Sequence, residues 1–168
     1  MDAFNPTTKT QQAISSAAQA ATMAGNPEIS PAHLFGALLA QSDGLAGPLL
    51  TAVGADPQAI HDELESIVAK LPAATGSTVS SPNFDGHAVK VLTHAQKLAT
   101  ELGDEYVSTE HVLVGLAAEG GPVSQLLTRH GASPEALREA FTQVRGSARV
   151  TNPDPEAPTR RSRSTAST

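Results

Sequence analysis

The chain has no cysteine and no tryptophan, one tyrosine and four phenylalanines in 168 residues. Without cysteine there is no disulfide, no thiolate-ligated zinc and no thiol nucleophile. With 28 Ala and 16 Leu where aromatics are scarce, the core has to be built from small and aliphatic side chains at close helix contacts. Sandwiches and barrels draw more heavily on aromatic and β-branched residues. No run approaches the roughly 20 apolar residues of a membrane span. Met1 to Gln12 is polar where a signal peptide would be apolar. A soluble, cytoplasmic, all-α domain with no membrane contact is expected.

Clustered basic charge is also missing. Residues 1–150 hold 8 Lys/Arg against 15 Asp/Glu, a net of −7. Only after residue 150 do Arg160, Arg161 and Arg163 outnumber Asp154 and Glu156. Phosphate contacts require grouped Lys and Arg, so no nucleic-acid partner is expected.

What the sequence does contain is a copy of itself. A shift of 78 lays residues 14–40 on 92–118, matching Ala17, Ala21, Thr22 and Gly25 with Ala95, Ala99, Thr100 and Gly103. In the same register Ser30, His33, Leu38 and Ala40 meet Ser108, His111, Leu116 and Ala118. A shift of 77 then aligns Leu49-Leu50-Thr51 with Leu126-Leu127-Thr128, Gly54-Ala55 with Gly131-Ala132, and Pro57 with Pro134.

Each copy reads as four helices. The first helices carry apolar stripes at three-and-four spacing and stop at Gly25 and Gly103. The second start at Ser30-Pro31 and Ser108, with Ser as N-cap and Pro at a position whose amide lacks an intrahelical partner. The third hold the Leu-Leu-Thr triplets and end at Gly54 and Gly131. The fourth begin at Asp56-Pro57 and Ser133-Pro134. The boundaries expected are repeat one at about 5–71, a flexible linker at 72–83, repeat two at about 84–147, and a disordered tail at 151–168. Two such copies can bury their stripes around a pseudo-twofold axis, giving eight helices in a domain covering 1–150.

The strings Asn26-Pro-Glu-Ile-Ser-Pro-Ala-His-Leu34 and Asp104-Glu-Tyr-Val-Ser-Thr-Glu-His-Val112 resemble the double Clp N-terminal repeat, which opens the Clp-family ring ATPases. Thr7-Thr-Lys-Thr-Gln-Gln12 and Gly131-Ala-Ser-Pro-Glu-Ala-Leu137 fit that family as well, closest to its disaggregase branch. The resemblance implies an accessory module that binds unfolded or aggregated polypeptide, or that docks on an adaptor or a Clp ATPase ring. It implies polypeptide-binding roles for Thr7, Asp104 and Glu110, and a groove between the repeats at Leu92, His94 and His111. His at two of those groove positions departs from the apolar residues frequent in relatives. The family's ATPase activity rests on a Walker A loop. No Gly-Lys dipeptide occurs in these 168 residues, so no ATP cofactor and no enzymatic activity are expected of this chain, which is expected to be monomeric when isolated. Written in G+C-rich codons and read with its first base removed, a segment close to the one that leads relatives into the ATPase module gives Pro158–Thr165. The resemblance thereby implies a frameshifted or split gene, an expectation that sequencing of the downstream DNA tests.

Several of these residues also have purely structural readings. Thr7 or Thr8 is placed to cap the first helix, Asp104 follows a Gly stop as a turn residue, and Glu110 suits the positive end of its helix. His33 and His111 sit near helix starts, where they support packing. His87 and His94 lie two turns apart, and with no further ligands converging on either pair no metal is expected. Asp62, Glu63 and Glu65 read as a solvated face. No Gly-x-Ser-x-Gly elbow supports a hydrolase.

Overall fold

The computed structural model describes residues 4–41, 44–71 and 82–145. Among these, eight α-helices follow one another: α1 (Thr8–Met23), α2 (Pro31–Ala40), α3 (Ala46–Ala52), α4 (Pro57–Ala69), α5 (Gly86–Glu101), α6 (Thr109–Glu119), α7 (Pro122–Arg129) and α8 (Pro134–Arg145). The all-α expectation and the four-plus-four arrangement hold. Residues 72–81 of the linker expected at 72–83, and the tail expected at 151–168, fall outside the described residues.

Local chemistry sets the helix ends. Thr7 caps α1 by accepting from the Thr10 N–H at 3.2 Å, and its repeat equivalent Asp85 caps α5 by accepting from the Ala88 N–H at 2.8 Å. Asp56 accepts from the Gln58 N–H at 3.0 Å, with Pro57 in the first helical position of α4. At the other end of α1, Gly25 turns left-handed (φ 75°), and so does Gly103 after α5 (φ 77°). This conformation is open to glycine without a Cβ penalty. It brings the next amide back onto the helix: the Asn26 N–H donates to Ala21 O and the Asp104 N–H to Ala99 O, both at 2.8 Å.

Two very short strands accompany the helices and were not foreseen. β1 (Glu28–Ile29) runs parallel to β2 (Asn83–Phe84), pairing Glu28 with Asn83 and Ile29 with Phe84. Asn83, read from the sequence as the end of the linker, is therefore part of β2. A matching bridge joins Pro6 to Val107. Under the shift of 78, Pro6 is equivalent to Phe84 and Val107 to Ile29. The two pairings are thus one contact generated twice by exchanging the repeats. In the same way the Thr7 N–H donates to Val107 O and the Asp85 N–H to Ile29 O, each at 2.9 Å.

The helix contacts obey the same exchange. α2 meets α6 between the repeats, while α1 on α6 is matched by α5 on α2, and α4 on α7 by α8 on α3. Phe35, Leu50, Ile60, Leu113, Leu126 and Leu137 are fully buried in one continuous core. Ala13, Ala17 and Ala21 of α1 and Ala88, Ala95 and Ala99 of α5 are also buried, so small side chains hold these helices close to α2 and α6. α5 and α6 approach closely at Gly115, where a Cβ would stand 2.6 Å from the Val91 carbonyl oxygen.

Candidate functional site

Four of the six residues expected to bind polypeptide gather at the start of α6, below the surface. Thr7 and His111 have no exposure, Glu110 6% and Asp104 8%. His111 is the third residue of α6, and its Nδ1 receives the Ser108 N–H at 2.9 Å. An acceptor Nδ1 leaves the ring proton on Nε2, which donates to Asp104 Oδ2 at 2.8 Å. The histidine thus occupies the place that Glu or Gln holds in a capping box, and Asp104 fixes its orientation. Phe141 meets the ring edge-on at 5.4 Å between centroids. Glu110 lies in the first turn, where helix polarity favours a carboxylate, and Thr109 Oγ1 donates to its Oε1 at 3.4 Å.

Repeat one contains the same device. The Ser30 N–H donates to His33 Nδ1 at 2.9 Å, and His33 Nε2 donates to Asn26 Oδ1 at 2.9 Å. Burial holds His33 below the ordinary histidine pKa, with the nearby Asp85 carboxylate opposing the shift. Sequence reading placed both histidines near helix starts but missed the cap. The signal was available: Ser-x-x-His, preceded four residues earlier by Asn or Asp, occurs once in each copy.

The remaining two expected site residues are set apart from this cluster and from each other. Leu92 is half-buried and packs on the core. His94 points along a different face of α5 and lines a cavity of about 270 Å³ between α5, α6 and α8. Leu98, Val114 and Pro134 supply its apolar wall, and Glu101 and Arg138 pair across it at 3.2 Å. His94 Nδ1 also approaches Glu119 Oε2 at 3.4 Å.

The acidic cluster on α4 divides in two. Asp62 and Glu65 face solvent on either side of His61, as expected. Glu63 instead reaches across to repeat two, with Oε1 at 2.5 Å from Arg129 Nη2 and Oε2 at 2.6 Å from His130 Nε2. The hydrogen bonds from His130 and then Arg129 hold the Glu63 carboxyl below its ordinary pKa. Among the described residues no group of three His, Asp or Glu side chains is arranged to hold a metal ion. None of the described helices is long and apolar enough to cross a membrane.

Comparison with known proteins agrees with this architecture. Residues 5–130 match the family described as Clp repeat (R) N-terminal domain. Over 157 residues the chain is 60% identical to the chaperone protein ClpB of Mycobacterium tuberculosis, covering 94% of this chain and 18% of that protein. The chain thus spans under a fifth of the length of the curated relatives it matches. Among solved structures, the Hsp104 N-terminal domain from Candida albicans superposes with a TM-score of 0.79 at 19% identity, over 91% of this chain and 99% of that one. A ClpV N-domain solved in complex with a VipB peptide superposes with a TM-score of 0.66 at 17% identity, over 86% of this chain and 89% of that one. With the twofold exchange of its strands, caps and helices, this chain belongs to the Clp repeat (R) N-terminal domain family.

Proposed function

We propose that this chain binds unfolded or aggregated polypeptide for a ClpB-type disaggregation system in the cytoplasm, without an enzymatic activity of its own. The observation that carries this reading is the 60% identity over 157 residues with the N-terminal region of ClpB. In this reading the six candidate residues divide by position. Leu92 and His94 are the ones a client can reach. Thr7, Asp104, Glu110 and His111 act from beneath, setting the start of α6 and its approach to α1 and α5. Binding is weak and sequence-tolerant, because it relies on apolar contact rather than on a closed pocket. The domain holds a client but does not thread it.

The test is titration of the domain with unfolded casein, followed by NMR or fluorescence anisotropy. Binding weakened by Leu92→Ala or Glu110→Ala, and indifferent to ATP, is the expected result. No response to casein at any concentration would overturn it. A second reading is favoured by one observation, the ClpV N-domain of the same fold holding a VipB peptide. Here the chain docks on one defined partner, an adaptor or a Clp ATPase ring. Saturable single-site binding to such a ring, with silence toward casein, separates this reading from the first.

A further inference from the structure

A groove lies within repeat one, away from all six residues discussed above. It encloses about 510 Å³ between α2 and α4, with Leu39, Leu64 and Val68 as its walls and Gly36 beneath. The pseudo-twofold axis generates the corresponding place in repeat two, where Val114 and Arg138, equivalent to Gly36 and His61, border a smaller cavity of about 270 Å³. Gly36 is equivalent to Val114 and Leu64 to Phe141, both of which are only 2% exposed. A Cβ added at Gly36 would meet only Leu64 Cδ2, at an ordinary 3.8 Å. Packing therefore permits a larger residue at position 36, and the groove is open because the sequence leaves it so.

The electrostatics of the opening are one-sided. Glu65 stands on its rim with 72% of its side chain exposed, and Asp62 lies beyond His61 at 69%. The last residues of both helices, Ala40 and Ala69, line the groove. Helix C-termini carry partial negative charge, and neither helix has a basic residue in its last turn. Lys70 follows as the C-cap of α4 and does not line the groove.

We infer that the α2–α4 groove is a second polypeptide site, which takes a short aliphatic segment flanked by Arg or Lys. The aliphatic side chains fill the space above Gly36, and the cation meets Glu65 and the helix C-termini. The inference rests on the polypeptide-binding reading for its class of ligand. It adds a location and a charge preference which that reading does not contain.

Two synthetic peptides test it, one with a leucine core followed by arginines and one with the same core followed by glutamates. Their binding is followed by anisotropy and by methyl NMR of the intact chain. The arginine peptide is expected to shift the methyl signals of Leu39, Leu64 and Val68. Gly36→Val is expected to weaken it at those methyls roughly tenfold or more, about 1.4 kcal/mol. Glu65→Lys, a change on an exposed side chain, is the second variant and weakens the same peptide without touching the core. Shifts confined to α5 and α8, indifference to both variants, or equal binding of the two peptides would each overturn the groove assignment. Casein binding that persists in those cases leaves the polypeptide reading standing. Silence toward both peptides and casein overturns the two together.

Discussion

His111 Nε2 and Asp104 Oδ2 are 2.8 Å apart with both side chains wholly removed from solvent, whereas the equivalent pair in repeat one, His33 and Asn26, is neutral on both sides. The carboxylate near His33 comes instead from Asp85, the cap of α5. At the position equivalent to Asp85, repeat two's histidine has Thr7, which carries no charge. Each histidine thus has one acid beside it, Asp104 on His111 and Asp85 near His33, and both acids belong to repeat two.

Repeat one shows that an amide oxygen serves this histidine as well as a carboxylate does. Asp104→Asn is therefore expected to retain the acceptor and fold normally. Asp104→Ala leaves the His111 Nε2–H buried without its partner, at a cost of about 1–3 kcal/mol. Urea denaturation of the two variants measures the difference, and equal losses would refute the capping role.

His33 gives the stability a pH dependence. Its folded pKa lies below the ordinary 6.5, so the unfolded chain binds the proton more readily. Stability contributed by neutral His33 is complete above about pH 6.5 and falls as the pH drops toward the lower folded value. His33→Gln supplies the usual capping-box side chain and should fold while losing this slope. Thermal midpoints of both proteins between pH 7.5 and about 5 provide the comparison.

Glu63 acts in a lower range. Its folded pKa is depressed below 4.5 by His130 and Arg129, so its contribution is present above that value and lost as the pH falls through the folded one. Glu63→Gln removes that dependence. Because Ala140 stands where Glu63 would be repeated, opposite Ala52 and Val53, the α3–α8 side of the interface has no such ion pair. Faster hydrogen exchange in α4 and α7 than in α3 and α8 of the Gln variant is the expected signature.

Gly115→Ala tests the close approach of α5 and α6. In an exposed helix the change would be stabilising by roughly 1 kcal/mol. Here the new Cβ would come within 2.6 Å of the Val91 carbonyl oxygen, so α5 and α6 have to separate. Net destabilisation of about 1–3 kcal/mol is expected, measured by calorimetry.

Much of this was legible because it is local. Ser30, Asp56 and Ser108 cap where residues one to three positions away require it, and Gly25 and Gly103 turn the chain within a single residue. The repeat made each assignment twice, which is why eight helices were found with their order and ends. The same comparison also held the groove, since the alignment sets Gly36 against Val114. Its meaning depends on knowing that position 36 faces α4.

Other features had no sequence signal. β1 and β2 are two residues each, too short for any alternating pattern, and they exist because exchange of the repeats brings Ile29 beside Phe84. Glu63 reads like its acidic neighbours, since its partners are 66 and 67 residues away. Thr7, Asp104, Glu110 and His111 were named one by one, but nothing in the order of residues says that they share one buried corner while Leu92 and His94 stand outside it.

The sequence by itself determined the helices, their caps and the twofold plan, because hydrogen bonds within a few residues and the spacing of apolar side chains decide those. Tertiary structure alone decided which polar groups were buried as structural supports, which helix faces met across the axis, and which of two equivalent places kept the wider groove. Those outcomes depend on the volume and charge of side chains brought together from distant parts of the chain, and neither is visible until the repeats have packed.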